Sequence, residues 1–91
     1  MYYKITTKKW FQKTYGNTYH SCRVEKCDCI GHDFKCEEIG YIPFRYGYGD
    51  HYLNTAAEIL GITEAELRQD MRDSQDKYCV FANDVNRKRD L

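Results

Sequence analysis

The chain has 91 residues, enough for one domain with a modest core but not for two. Hydrophobic residues make up 42% of it and charged residues 31%, which is typical of a folded protein and not of a disordered one. Lysines and arginines balance the acids, and this neutrality argues against strong non-specific binding to nucleic acid and against a polyanionic mimic of nucleic acid.

Membrane insertion and export are not indicated by the sequence. No apolar run approaches the roughly 20 residues that a spanning helix needs. The first ten residues, MYYKITTKKW, lack the apolar core of a signal peptide. We therefore predict a protein of the reducing cytoplasm with no membrane partner. Five cysteines are an odd number and indicate no obvious disulfide framework there. A monomer and a homodimer both remain open.

Two strands are predicted near the N-terminus, over residues 2–6 and 19–26. Both segments alternate apolar and polar side chains, and Gly16 and Asn17 mark a turn between them. The alternation places Tyr3 and Ile5 on one face of the first strand, and His20, Cys22 and Val24 on one face of the second.

A third strand is predicted over residues 34–44. Pro43 has no N–H to donate to a neighbouring strand, so it should mark the end of this strand or an edge of the sheet. A first helix then follows with Asp50 as its predicted N-cap and Gly61 as its end. Apolar residues recur at helical spacing between the two, at Leu53, Ala56, Ala57 and Leu60.

The second helix has a stronger start signal than the first. Thr63 and Glu66 have the spacing of a capping box, and Ile62 can pack on Leu67 as a hydrophobic staple. A last strand is predicted over residues 77–82, KYCVFA. The element order is therefore β-β-β-α-α-β. We predict a single α+β domain over residues 1–91, with a small, mostly antiparallel sheet of about four strands, helices on one face and a mobile tail at residues 86–91.

The segment CRVEKCDCIGHDFKC, residues 22–36, holds four cysteines and a histidine. Cys27, Cys29, His32 and Cys36 are candidate zinc ligands by type, but the C-x2-C knuckles of structural zinc sites are missing. The alternative is that Cys22 and Cys36 face the core as small hydrophobes while Cys27 and Cys29 lie half-exposed in a turn. Redox catalysis is not indicated, because it uses C-x2-C at a helix N-terminus.

Catalysis is not indicated by the three histidines. General acid–base chemistry needs a base held by an orienting partner beside a nucleophile or metal. His20 and Ser21 are neighbours on a strand, so their side chains point to opposite faces, and Asp50 beside His51 is explained by a helix cap. We expect no enzymatic activity.

Two stretches combine aromatic rings with features of a binding surface. In KITTKKWFQKTYGNTYH, lysines alternate with aromatics, a mixture that suits a protein interface or single-stranded nucleic acid. Trp10 and Phe11 cannot both face inward on a regular strand. In YGYGDHY, the two tyrosines either cover the seam between sheet and helix or stack on a ligand. The candidate partner-binding residues are Lys8, Lys9, Trp10, Lys13, Tyr15, Tyr19, Tyr46 and Tyr48.

The wording of two segments, KTYGNTYHS at 13–21 and IPFRYGYGDHY at 42–52, resembles short uncharacterised accessory proteins of bacteriophages and prophages. The resemblance covers roughly the first two-thirds of the chain and includes no catalytic motif. It implies a compact protein in the cytoplasm of a bacterial host that acts by binding a host enzyme or a defence complex. It carries no functional residues over to this chain.

Together these observations predict a small non-enzymatic protein that binds a bacterial host protein and modulates or inhibits it. The alternative is a nucleic-acid-binding accessory protein that uses the same basic and aromatic residues. A zinc-stabilised interaction module is a further alternative, compatible with either.

Overall fold

The computed structural model describes residues 2–30 and 33–91. Its elements follow the predicted order, and the domain is the predicted small α+β fold. The main elements are the strands β1 (Tyr2–Gln12), β2 (Asn17–Ile30), β3 (Asp33–Tyr46) and β4 (Tyr78–Val85) and the helices α1 (Tyr52–Leu60) and α2 (Glu64–Asp73). Two short 3-10 turns flank the last strand, at Gln75–Lys77 and Lys88–Asp90.

The four strands form one sheet in the order β3-β2-β1-β4. β1 pairs antiparallel with β2, and β2 with β3, whereas β4 lies parallel to β1. The sheet is therefore mostly antiparallel, as predicted. β3 is an edge strand, which explains why it tolerates Pro43.

The strands extend well beyond their predicted bounds. β1 continues through the lysine-rich segment to Gln12, and β2 begins at Asn17 directly after the turn. The backbone N–H of Gly16 donates to the carbonyl of Gln12 at 2.8 Å and closes this turn. The hairpin therefore carries Trp10 and Tyr19 on regular paired strands and not on a loop.

The core lies between one face of the sheet, the helix face, and the two helices. Alternate residues of β1 and β2 point to it, because side chains on a strand have a period of two. The buried apolar residues of this core are Ile5, Cys22, Val24, Leu53, Ala56, Ala57 and Leu67. The shared faces predicted for the two strands are confirmed, and His20 is buried on the helix face together with Cys22 and Val24.

The helix ends follow the sequence with one correction. Gly61 ends α1 in the left-handed conformation, φ 75°, and its N–H donates to the helix carbonyls of Ala57 and Glu58. Thr63 and Glu66 form the predicted capping box of α2. Asp50 does not cap α1. The N-cap residue is His51 without a side-chain bond, and the Asp50 carboxylate instead accepts from the Arg68 guanidinium of α2 at 3.0 Å.

The C-terminal residues lie against the sheet on the side opposite the helices. The Lys88 ammonium lies 4.7 Å from the centre of the Phe44 ring. Leu91 contributes to a cleft of about 100 Å³. The rest of that cleft is formed by Thr6, Lys8, Ser21, Arg23 and Tyr41. The segment that the sequence predicts to be mobile thus has defined contacts in this structure.

Candidate functional site

The sheet face opposite the helices is the open face. No α-helix of residues 2–30 or 33–91 covers it. Residues paired across neighbouring strands share a face, so the register assigns each side chain to one side. Trp10 pairs with Tyr19, and Tyr19 pairs with Tyr46, one residue out of phase with the buried His20. These three rings therefore lie on the open face.

Four aromatic residues form a continuous row across β1, β2 and β3. Trp10 stacks on Tyr19 with ring centroids 5.8 Å apart, and Tyr19 stacks on Phe44 at 4.6 Å. Tyr46 meets Tyr19 edge-on at 5.7 Å. We call Trp10, Tyr19, Phe44 and Tyr46 the aromatic row. Phe44 and Tyr46 are 42% and 57% exposed, so the row forms an accessible apolar surface.

The orientation of the rings in the aromatic row limits what they can bind. Tyr19 stands between Trp10 of β1 and Phe44 of β3, with interplanar angles of 27° and 17°. Both faces of its ring are therefore covered by neighbours. Tyr19 thus presents its ring edge and hydroxyl group to solvent, and not a flat ring face on which a nucleobase could stack.

Cations also lie on the open face, further along the strands from the aromatic row. The Arg23 guanidinium lies 4.5 Å from the Tyr41 ring centre and pairs with Glu38 at 2.8 Å. The Lys4 ammonium lies 5.4 Å from the Phe81 ring centre. On the other side of the molecule, the exposed part of α2 is acidic, with Glu64, Glu66, Asp70 and Asp73 in its sequence. The open face also carries Glu25 and Glu38, and α2 also carries Arg68 and Arg72, so each surface has only a modest excess of one sign.

The remaining candidate binding residues are spread over the open face, the helix side and two loops. Lys8 lies on the open face, but Lys9 points to the helix side, where its ammonium is 5.6 Å from the Tyr52 ring centre. Lys13 and Tyr15 belong to the exposed turn between β1 and β2. Tyr48 is 73% exposed in the loop before α1. The structure therefore brings together Trp10, Tyr19 and Tyr46, with Lys8 on the same face, and places the other four away from them.

The expectation that the two tyrosines of YGYGDHY cover the seam between sheet and helix is wrong. Tyr46 lies on the open face and Tyr48 faces solvent. The His51 ring, at the start of α1, packs on Gly47. A β-carbon at Gly47 would lie 2.5 Å from His51 Cδ2, so only glycine allows this contact.

Comparison of the chain with protein-family models, with curated proteins and with solved structures finds no match in any of the three. Function therefore has to be inferred from the geometry of the chain itself. No helix of the described ranges is long and apolar enough to cross a bilayer.

The cysteine segment differs from both predicted arrangements. Cys27 and Cys36 are direct partners across β2 and β3 and are joined as a disulfide, with Cα atoms 4.1 Å apart. Cys27, expected in a turn, is fully buried, whereas Cys36, expected in the core, is exposed. Cys22 lies in the core as predicted.

The candidate zinc ligands cannot be assembled from what the structure describes. In the disulfide, Cys27 and Cys36 have no thiolate to offer a metal. His32 and the side chain of Cys29 lie outside the described residues. Among the described residues, no group of three or more metal-ligating side chains comes together.

Two free thiols of the described side chains, those of Cys22 and Cys79, should differ sharply in reactivity. Burial raises the pKa of the Cys22 thiol to about 11. Relative to the ordinary value of 9.0, this lowers its thiolate fraction about 100-fold at neutral pH. Cys79 is only half-buried. In timed alkylation with iodoacetamide followed by peptide mass spectrometry, we expect Cys79 to be modified long before Cys22. Equal rates in the folded protein would contradict the buried position of Cys22, and equal rates in urea are the control.

His20 is a buried polar residue of the helix face. Its Nδ1 lies 3.3 Å from the Gly47 carbonyl oxygen, and its Nε2 lies 2.7 Å from Thr55 Oγ1. A carbonyl can only accept, so Nδ1–H donates to Gly47. In a neutral ring, Nε2 then accepts from the Thr55 hydroxyl. Burial is the largest of several influences on the pKa of His20, and it lowers this pKa. The neutral form of the ring is therefore favoured. His20 is 1% exposed, and its hydrogen bond to Thr55 links the sheet to α1.

Proposed function

We propose that the protein is a non-enzymatic binding module that docks on a bacterial host protein through the aromatic row and modulates or inhibits that partner in the host cytoplasm. The observation that carries the proposal is the accessible aromatic row on a sheet face that neither helix covers. The resemblance of the two sequence segments to phage and prophage accessory proteins supplies the host context.

The composition of the row suits a protein interface. Tryptophan and tyrosine are the residues most enriched among binding hot spots, and arginine is the third. Here Trp10, Tyr19 and Arg23 lie on one face of two paired strands. Rings that already stack on each other lose little conformational freedom when a partner binds, so less of the interaction energy is spent on ordering.

A cytoplasmic site of action is compatible with the cysteine geometry. The disulfide joins Cys27 and Cys36 across β2 and β3, two strands that the sheet also pairs through their backbones. Cytoplasmic thiol systems keep most such pairs reduced. The aromatic row lies toward the other end of β2, so docking does not require the disulfide.

Nucleic-acid binding is the second candidate, and the cations of the open face favour it. Lys4, Lys8, Arg23 and Lys88 all lie on this side. The central ring, Tyr19, speaks against it, because stacking on bases requires a free ring face and both faces of Tyr19 are covered. We therefore place protein docking first.

The test starts with capture of the partner from bacterial lysate by the full chain and its identification by cross-linking mass spectrometry. The partner is then purified, and its affinity for the protein is measured by titration. We expect Tyr19→Ala and Phe44→Ala each to weaken binding at least about tenfold, as hot-spot residues do. Tyr48→Ala removes an equally exposed ring outside the aromatic row and should leave the affinity unchanged.

The same titration separates the two candidates. Protein docking predicts that loss of the aromatic rings weakens binding more than loss of Lys8, and that salt has a modest effect. Three results together would show that the docking proposal is wrong. The retained partner would be nucleic acid, the affinity would fall steeply with salt, and Lys8→Ala would weaken binding more than Phe44→Ala.

A further inference from the structure

A groove lies beyond the N-terminal end of α1, on the helix side of the sheet. Its volume is about 600 Å³, within the range of small-molecule sites. The β1–β2 hairpin, the loop before α1 and the end of β4 enclose it. We call it the lysine groove; it is lined by Lys9, Phe11, Lys13, Thr18, Gly49, Asp84, Val85 and Asn86.

The lysine groove has an excess of positive charge. Lys9 and Lys13 contribute two ammonium groups, and Asp84, the register partner of Lys9 on β4, contributes one carboxylate. None of the three forms an ion pair within the described residues. The Lys9 ammonium is held near the Tyr52 ring at the start of α1. The groove therefore suits an occupant with an anionic group.

The lysine groove also exposes an aromatic ring between its two lysines. Phe11 is on the same side of β1 as Lys9, two residues along the strand. Its side chain is 55% exposed, and it stacks on no other ring of the described residues. Unlike Tyr19, which is covered on both ring faces, Phe11 has a free face for a planar ligand.

We propose that the lysine groove binds a nucleoside phosphate. Lys9 and Lys13 bind the phosphate, and the base lies against Phe11. The Asp84 carboxylate accepts hydrogen bonds from ribose hydroxyls or an exocyclic amine, which a simple anion cannot offer. This site is on the opposite side of the sheet from the aromatic row, so it is independent of the proposed docking function.

The test is a titration of the full-length ¹⁵N-labelled protein followed by amide chemical shifts. We expect AMP to cause saturable shifts at Phe11, Thr18 and Gly49 and to bind at least tenfold more tightly than inorganic phosphate or adenosine. The Lys9→Ala/Lys13→Ala double variant should lose at least tenfold in affinity. Lys8→Ala is the matched control, since it removes the neighbouring lysine on the opposite face, and its affinity should be unchanged.

Additional titrations identify the source of the ligand, and replacement variants are used if the double variant misfolds. A short oligothymidylate that binds more tightly than TMP assigns the site to a nucleic-acid strand, and the reverse order assigns it to a free nucleotide; both support the proposal. Equal binding of AMP and inorganic phosphate, no saturable shift with any probe, or full affinity in the double variant would overturn it. If the double variant does not fold, the single variants Lys13→Ala and Phe11→Ala, both at exposed residues, replace it. We expect each to lose affinity for AMP. Full affinity in both would overturn the proposed site.

Discussion

Replacing Leu67 by alanine should remove about 3 kcal/mol from the free energy of unfolding. Leu67 is fully buried and is the one residue of α2 that lies wholly inside the core. Its removal leaves a cavity between α2, α1 and the sheet that the backbone cannot fill. A chain of this size has a total stability of about 5–14 kcal/mol, so the loss is a large fraction of it.

Urea denaturation gives the free energy, and thermal unfolding should show a drop in Tm of about 4–8 °C for each kcal/mol lost. Met71→Ala is the matched control. Met71 lies one turn further along α2, packs against the same cluster and is only half-buried, so its loss should cost less than half as much. Equal costs for the two variants would mean that Leu67 does not anchor α2.

Much of this fold follows from local sequence patterns. The alternation around Ile5 and Val24 predicts the buried face of the first two strands, because one side of an antiparallel sheet must face the core. The box of Thr63 and Glu66 predicts the start of α2, because its two hydrogen bonds are made within four residues. Contacts of this kind do not depend on the rest of the chain.

The features that the sequence does not predict depend on distant partners. Residues 7–12 have polar or aromatic side chains on both faces, and they form a strand only because β2 and β4 pair with them on either side. Asp50 has every local property of an N-cap. It is drawn away by Arg68, a residue of the other helix. The pairing of Cys27 with Cys36 likewise depends on the register between β2 and β3.

The candidate site shows the same limit. Sequence reasoning selected Trp10, Tyr19 and Tyr46 but omitted Phe44, the ring that stacks against Tyr19. Its position two residues before Tyr46 on a strand was the signal for a shared face. The sequence predicts that Phe11 and Trp10 do not both face inward. That Phe11 lines a groove depends on where β4 lies, which the sequence does not predict.

Lowering the pH below about 6.5 should destabilise the protein through His20. Burial is the main cause that lowers the pKa of this imidazole, and the positive charges of His51, Arg45 and Lys9 add to it. The unfolded chain therefore binds a proton at a higher pH than the folded protein does. Stability is complete above the unfolded value of 6.5 and is lost as the pH falls toward and through the lower folded value. One proton gives a slope of at most about 1.4 kcal/mol per pH unit.

Urea denaturation between pH 8 and pH 5 measures this slope. The acids whose pKa is lowered, Glu58 beside Arg45 and Asp70 beside Lys77, titrate below this window and do not contribute to it. His20→Gln keeps a polar group near Thr55 that does not titrate, and it should flatten the dependence even where it lowers overall stability. His51→Gln removes the neighbouring histidine and should keep most of the slope. If His20→Gln and the wild type lose stability in parallel as the pH falls, the buried imidazole is not the group that titrates. In that case α1 is not held on the sheet by the neutral, hydrogen-bonded pair of His20 and Thr55.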